Sequence, residues 1–401
     1  MTKPLSLLII GLKWPPETFL DRLITGLTSR GVKVTVCFAN RPPKNWLEKS
    51  KCRWLWKPSW DTHPINRIMN LIRLAAASPF HKSFRTLIQL MRTTHNFKDR
   101  IRAFHQISPL LNADVDVVYF PWVLSVPTYI DWFNKIQIPS VTSLRGSMVN
   151  VYPLHPIDGE RTRQKLRQAL AEVNVIHSVS QHIFEEARQY GAAPSKVHVI
   201  RPAVDTAFFS PLATRAPNQR LTIITTGSIM WRKGLEYALL AMRQLADAGL
   251  NFDFQIIGDG PEKARILYTI TDLGLEDHIT MLGKLPPSSV RQHLQQADAF
   301  LLSSLSEGIS NAVLEAMACG LPVVTTDCGG MREAVTDGVE GFVVPVRDPS
   351  TMAEKLSSLA QDPALRERMG KAARVRILKD FDQNNQVASF IELFTKVSDH
   401  E

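Results

Sequence analysis

Glu307 and Glu315 stand eight residues apart in the stretch Ser304-Leu305-Ser306-Glu307-Gly308-Ile309-Ser310-Asn311-Ala312-Val313-Leu314-Glu315-Ala316-Met317. The apolar run Ala299-Phe300-Leu301-Leu302 predicts a buried strand that stops at small polar residues, and the spacing of Val313, Leu314, Met317 and Ala318 predicts a helix after it. Glu307 then falls in the connecting loop and Glu315 one to two turns into the helix, with Ser310 and Asn311 placed to cap its first amides. A loop carrying Gly308 and Ile309 before a helix N-terminus offers free N–H groups and the positive end of a dipole, which suits a phosphate. On one continuous helix the two carboxylates would be about 12 Å apart, too far for the paired acids of a glycoside hydrolase. Charge stabilisation and hydrogen bonding to a ligand remain for them. The spacing alone is equally that of a loop charge and a solvent-facing helix residue.

A second group lies upstream. Gly227-Ser228-Ile229-Met230-Trp231-Arg232-Lys233-Gly234 follows a predicted strand and precedes a helical period at Leu235, Ala238, Leu239 and Met242. Arg232 and Lys233 therefore sit where a diphosphate would need neutralising, a forked donor beside a point charge. With the helix start near Asn311 they could stabilise a departing diphosphate without a metal. Gly258-Asp259-Gly260-Pro261 and Gly283-Lys284-Leu285 are turn compositions after two further strands. Asp114-Val115-Asp116 imitates a metal-binding pair but reads as the polar lead-in to a strand, so no metal is expected.

These loops need strands and helices to hold them. Strands are predicted at Leu8 to Ile10, Val32 to Val36, Val117 to Phe120, Ser140 to Thr142, Val175 to Ser178 and Val197 to Ile200, and a second alternating set runs from Leu221 to Val344. Strands interleaved with helices predict α/β architecture with parallel, doubly wound sheets. At 401 residues the chain exceeds a single core. The expected division is 1–205, 206–378 and a final amphipathic helix within 379–401 crossing back to the first domain, with the proline-rich residues 201–220 as linker. Two such Rossmann-like domains would face each other across a cleft lined by the carboxyl ends of their strands.

Four cysteines, Cys37, Cys52, Cys319 and Cys328, show neither metal spacing nor a disulfide framework and suggest a reducing cytosol. The apolar run Leu7 to Leu12 reads as a first strand rather than a signal peptide. Of the net charge of +9, the largest excess sits in residues 41–105, with 14 basic against 3 acidic side chains. That segment also holds Trp46, Trp54, Trp56 and Trp60, so contact with anionic lipid is expected, against the alternative of a solvated face with packed tryptophans. A nucleic-acid partner is not expected, because no RRM-like or zinc-finger motif accompanies the charge.

The segment from Glu307 through Glu-Ala-Met-Ala-Cys-Gly-Leu-Pro-Val-Val resembles the Glu-x7-Glu signature of the retaining, nucleotide-sugar-dependent glycosyltransferases of family four, which have the GT-B fold. The resemblance implies that Glu315 bonds the ribose hydroxyls of a nucleotide and that Glu307 lies against the donor sugar. It further implies that Arg232 and Lys233 bind the phosphates and that Gly227, Gly258, Asp259, Leu285, Gly308, Ile309, Ser310 and Asn311 line the donor site. In the first half, Trp14-Pro15-Pro16-Glu17-Thr18-Phe19 resembles a variant of bacterial exopolysaccharide transferases. Arg145, before Gly146, stands where many members carry a histidine, so an anion-binding role replaces any proton-accepting one; a structural arginine paired with a nearby acid is the rival. The implied substrates are a nucleotide diphosphate sugar and a saccharide or lipid-linked acceptor. An epimerase acting on nucleotide sugars shares the fold and is the alternative.

Overall fold

The computed structural model describes residues 4–60, 63–77, 88, 97–113, 115–214 and 220–399. It divides into two units. The first takes Met1–Ser178, Phe184–Ile200 and Val387–Glu401, and the second Val179–Ile183 and Arg201–Gln386. The boundaries thus lie near 200 and 386 rather than at 205 and 378.

The first unit is built on β1 (Ser6–Ile9), β2 (Lys33–Phe38), β3 (Arg53–Trp56), β4 (Val117–Phe120), β5 (Ser140–Leu144), β6 (Val175–Ser178) and β7 (Val197–Val199), all parallel, in the order β3-β2-β1-β4-β5-β6-β7. The second is built on β8 (Leu221–Thr226), β9 (Phe252–Ile257), β10 (Ile279–Gly283), β11 (Ala299–Leu302), β12 (Val323–Thr326) and β13 (Gly341–Val344), in the order β10-β9-β8-β11-β12-β13. Both are doubly wound Rossmann-like sheets. Helices on both faces bury the central strands, which is why β1, β4, β5, β11 and β12 are apolar or small at every position, while the edge strands β3 and β10 are only half-buried.

Strand order reverses between β1 and β4 in the first unit and between β8 and β11 in the second. Ligand crevices form at the carboxyl ends of the strands on either side of such a switch point. In the second unit the β8 end leads into Gly227 and the β11 end into Ser303 and Glu307, so both polar loops singled out above emerge there.

Residues 201–214 are a packed strap of the second unit and no free linker, and 215–219 of the expected linker lie outside the described residues. Val204 bridges to Asp382, Phe209 is 1% exposed, and Arg374 donates to the carbonyls of Thr206, Phe209 and Ala318 at 2.8–3.0 Å. Prolines removed the periodicity, yet two apolar anchors and one guanidinium hold the segment. From the final helix, Gln383–Ser398, the residues Val387, Phe390, Leu393, Phe394 and Val397 join the core of the first unit.

Candidate active site

Lys233 ends a short 3-10 turn, Trp231–Lys233, that follows β8, and its Nζ donates to Glu307 Oε1 at 2.5 Å. Ser304 Oγ donates to the same oxygen at 2.9 Å. Both bonds fall on Oε1, and the side chains of Lys233 and Glu307 are 16% and 11% exposed. Burial alone would push the Glu307 carboxyl up. The charge of Lys233, the hydrogen bonds from Lys233 and Ser304 and the charge of Arg232 outweigh burial and hold it below the ordinary carboxylate range. A carboxylate is therefore fixed in its ionised form at the switch point.

The loops that present this pair are locked by backbone. Leu305 N–H donates to the Arg232 carbonyl at 2.7 Å and Ser303 Oγ to the Lys233 carbonyl at 2.9 Å, which ties the β8 and β11 loops together. Gly329 sits in the left-handed region at φ +57°, and a Cβ there would lie 1.9 Å from the Glu307 carbonyl oxygen. Only glycine permits that approach. Sequence reasoning missed Gly329, although a glycine pair between β12 and a helix start was the visible signal.

Gly227 donates its N–H to the Ile257 carbonyl, and Ile229 N–H to the Asp259 carbonyl, which ties the β8 loop to the β9 loop. The same close approach requires Gly258, at φ +154°, where a Cβ would meet the Gly227 carbonyl at 1.8 Å. Asp259 Oδ1 accepts from Gly260 N–H at 2.9 Å, so its side chain serves its own turn. Leu285 is half-buried against the core cluster that holds Ile309 and Val313.

Glu315 lies half-buried on the helix Asn311–Ala318, whose other face (Val313, Leu314, Met317) is core. Ser310 is the N-cap but makes no side-chain cap bond, contrary to the expectation from sequence. The Asn311 side chain does not cap either; its Oδ1 is buried without a partner among the described residues. Neither of the two expected side-chain caps therefore closes the first amides of this helix. Arg232 Nε contacts Met230 Sδ at 2.9 Å, a soft contact that leaves the charge available. Lys233 therefore meets Glu307 directly, a pairing the sequence placed only near a common ligand.

In the first unit Glu17 is the exposed N-cap of the helix Thr18–Ser29 and Gly146 opens the helix Gly146–Asn150. Arg145 makes no ion pair among the described residues: Nε donates to the Pro121 carbonyl at 3.2 Å, and its guanidinium lies over the Phe19 ring at 3.9 Å and 5.7 Å from the Trp122 ring. Burial lowers its pKa, opposed by Tyr119 and Glu17. Glu17 thus acts on Arg145 through its charge, while no ion pair of Arg145 forms among the described residues. Beneath it runs a chain that sequence reasoning did not foresee, Tyr119 Oη to Ser143 Oγ at 2.6 Å, Ser143 to His177 Nδ1 at 2.6 Å, and His177 Nε2 to the Ile200 carbonyl at 2.8 Å. A carbonyl only accepts, so Nε2 carries the proton and Nδ1 accepts from Ser143. Burial and the charge of Arg145 push the His177 pKa down to about 3, which keeps it neutral.

The four tryptophans of the segment 41–105 are half-buried and do not form a fully exposed belt. Trp46 packs edge-on to Trp14 at 5.0 Å and donates to Asp21 at 2.5 Å, Trp54 donates to the Phe38 carbonyl, and Trp60 stacks with Arg67. Indoles carry too much apolar area to be left in water when a sheet edge is at hand. The exposed large apolar side chains of this segment among the described residues are Ile65, Ile68, Met69 and Ile72, at helical spacing on one face of Pro64–Ala77, and Phe97.

All four cysteines are buried and free, with the thiols of Cys37, Cys319 and Cys328 pushed up to about 12, foremost by burial. Asp116 accepts from Ser6 N–H at 2.8 Å as a structural lead-in to β4, and Asp114 lies outside the described residues. No helix among the described residues is long and apolar enough to cross a membrane.

Two parallel sheets of this order, each opening its polar loops at a switch point, define the GT-B architecture. Sucrose-phosphate synthase from Thermosynechococcus elongatus matches it with a TM-score of 0.76 at 18% identity over 99% of this chain and 100% of that one. HepE of Anabaena, solved with UDP, matches with a TM-score of 0.73 at 17% identity over 98% and 100%. In sequence, residues 16–208 match the Glycosyltransferase Family 4 profile and residues 211–376 that of Glycosyl transferases group 1. WcaL of Salmonella typhimurium, named for colanic acid biosynthesis, is 36% identical over 51% of this chain and 53% of its own. The amylovoran biosynthesis glycosyltransferase AmsK of Erwinia amylovora is 28% identical over 70% of each chain. N-acetyl-alpha-D-glucosaminyl L-malate synthase of Bacillus anthracis is 33% identical over 65% of this chain and 68% of its own. The matched region spans about half the length of WcaL. The chain belongs to the family-four glycosyltransferases.

Proposed function

We propose that this protein is a retaining glycosyltransferase of exopolysaccharide assembly that moves a sugar from a nucleotide diphosphate donor to a saccharide or lipid-linked acceptor. The observation that carries this reading is the Lys233–Glu307 pair at the β8/β11 switch point. In this reading Arg232, Lys233 and the helix-start amides after Ser310 take the diphosphate and stabilise the charge that grows on it as the glycosidic bond breaks. Glu307, already ionised, faces the sugar and stabilises the cationic character that develops at its anomeric carbon. Glu315 holds the ribose hydroxyls, and Arg145 an anionic group of a substrate. The biosynthetic names of WcaL and AmsK support the polysaccharide context, and the UDP complex of HepE supports a nucleotide donor. The test is thermal denaturation of the full chain with a panel of nucleoside diphosphates. One of them at about 100 times its Kd should add about 2.7 kcal/mol of stability, and that gain should vanish in Glu315→Ala. A panel without any stabilising nucleotide contradicts the proposal.

Peripheral attachment to anionic lipid belongs to the same proposal, now resting on the Pro64–Ala77 helix. Its exposed face joins Ile65, Ile68, Met69 and Ile72 to a segment rich in Lys and Arg, the combination that lies in a charged interface. Flotation with vesicles rich in phosphatidylglycerol should recover wild type and lose Ile68→Asp/Ile72→Asp. Equal recovery of the two proteins, or equal recovery on neutral vesicles, would remove this surface from consideration.

A further inference from the structure

The first unit contains a cavity of about 530 Å³ at the carboxyl ends of β1, β2 and β3, in the size range of small-ligand sites. Its charged lining has one sign. Lys13 comes from the loop after β1, Lys57 from the loop after β3 and Arg102 from the helix Phe97–Ile107, and among the described residues neither Asp nor Glu lines it. Among the described residues none of these three cations has an ion-pair partner; Lys57 lies over the Tyr129 ring at 5.2 Å. Cations from three separate elements around one concavity repel one another and focus a positive potential into it, which an anion relieves.

The wall supplies an independent sign of a ligand. His105 is 1% exposed, and both of its ring nitrogens are buried without a hydrogen-bond partner among the described residues, with its ring edge-on to Trp60 at 5.1 Å. Buried polar groups in folded proteins are almost always bonded. Burial, then the charges of Lys57 and Arg67, push its pKa down to about 4, so at neutral pH it brings a donor and no fourth charge.

We infer that this cavity binds a phosphate-ester group of the acceptor, with Lys13, Lys57 and Arg102 neutralising it and the His105 ring donating to it. The inference rests on the transferase reading and names a substrate class that reading leaves open. Three converging cations exceed what a single carboxylate balances and match the charge of a phosphate or diphosphate. Two carriers present such a group, a lipid diphosphate and a soluble sugar phosphate. The exposed apolar helix is tied to the same wall, because its Arg67 donates to the Trp60 carbonyl at 3.1 Å and stacks on the Trp60 ring at 4.6 Å.

Calorimetric titration of the full chain at low salt with geranyl diphosphate, glucose 1-phosphate and sodium glucuronate tests it, using wild type, Lys57→Gln/Arg102→Gln and Lys233→Gln. At least one phosphate ester should bind wild type and Lys233→Gln alike and weaken tenfold or more in the double variant. Nucleoside diphosphate binding should be kept by the double variant, which also shows that it folds. Tighter binding of geranyl diphosphate assigns the lipid carrier, and tighter binding of glucose 1-phosphate the soluble one. The inference is overturned if neither ester binds at millimolar concentration, if the double variant binds them as wild type does, if Lys233→Gln abolishes their binding, or if glucuronate binds as tightly. Absence of nucleoside diphosphate binding in wild type would instead contradict the donor reading and leave the result for this cavity standing.

Discussion

Replacing Glu307 with glutamine is expected to lower turnover about a thousandfold while nucleoside diphosphate affinity changes less than about threefold. The amide keeps the shape and removes the charge that Lys233 and Ser304 hold in place. It also leaves the Lys233 ammonium without its counter-ion, so stability should fall by about 2 to 3 kcal/mol, somewhat below the cost of breaking a fully buried pair because both side chains keep some solvent contact. The pH dependence follows from the direction of the shift. Glu307 titrates below its ordinary value of 4.5, so its stabilising effect is complete above that value and is lost as the pH falls through the lower folded value. Urea denaturation should therefore show a wild-type advantage over Glu307→Gln that is constant near neutrality and shrinks only in acid. Equal turnover of the two proteins would mean that this carboxylate does not face the reacting sugar.

Lys233→Ala is expected to have the second large effect, by two routes at once. Donor diphosphate affinity should drop about a hundredfold with the loss of a charge-assisted contact. With the largest opposing influence gone, burial should raise the Glu307 carboxyl, and the acid limb of the pH–rate profile should move upward. Lys233→Ala/Glu307→Gln should then cost much less than the two single changes added, since residues in contact couple. Additive losses in that cycle would show that the pair does not act as a unit.

Much of the second unit was legible in the sequence, because its loops carry rare residue types at strand ends. Glu307, Glu315, Arg232 and Lys233 each follow or precede an apolar period that fixes its place on the sheet edge. What could not be read was how side chains 74 residues apart would meet. The Lys233–Glu307 bond depends on β8 and β11 being neighbours, which is a property of strand order and not of either segment. Caps failed for a related reason: Ser310 and Asn311 have the right chemistry at the right position, but Ser310 is 3% exposed and donates its N–H toward Met331 Sδ at 3.4 Å. Tertiary packing overrode a local preference. In the basic segment 41–105 Trp46 packs against Trp14 while Ile68 stays exposed, and composition does not say which of the two finds a partner. Proline content likewise hid the strap that Phe209 and Arg374 fasten.

The most direct test of retaining transfer at the β8/β11 switch point needs no acceptor. Wild type and Glu307→Gln would be incubated with the α-linked nucleotide sugar of whichever base the panel selects, and the anomeric proton of the first sugar released to water would be followed by NMR before mutarotation. The expected result is initial release of the α anomer by wild type and its near absence with Glu307→Gln. First appearance of the β anomer, or equal release by both proteins, would contradict the assignment.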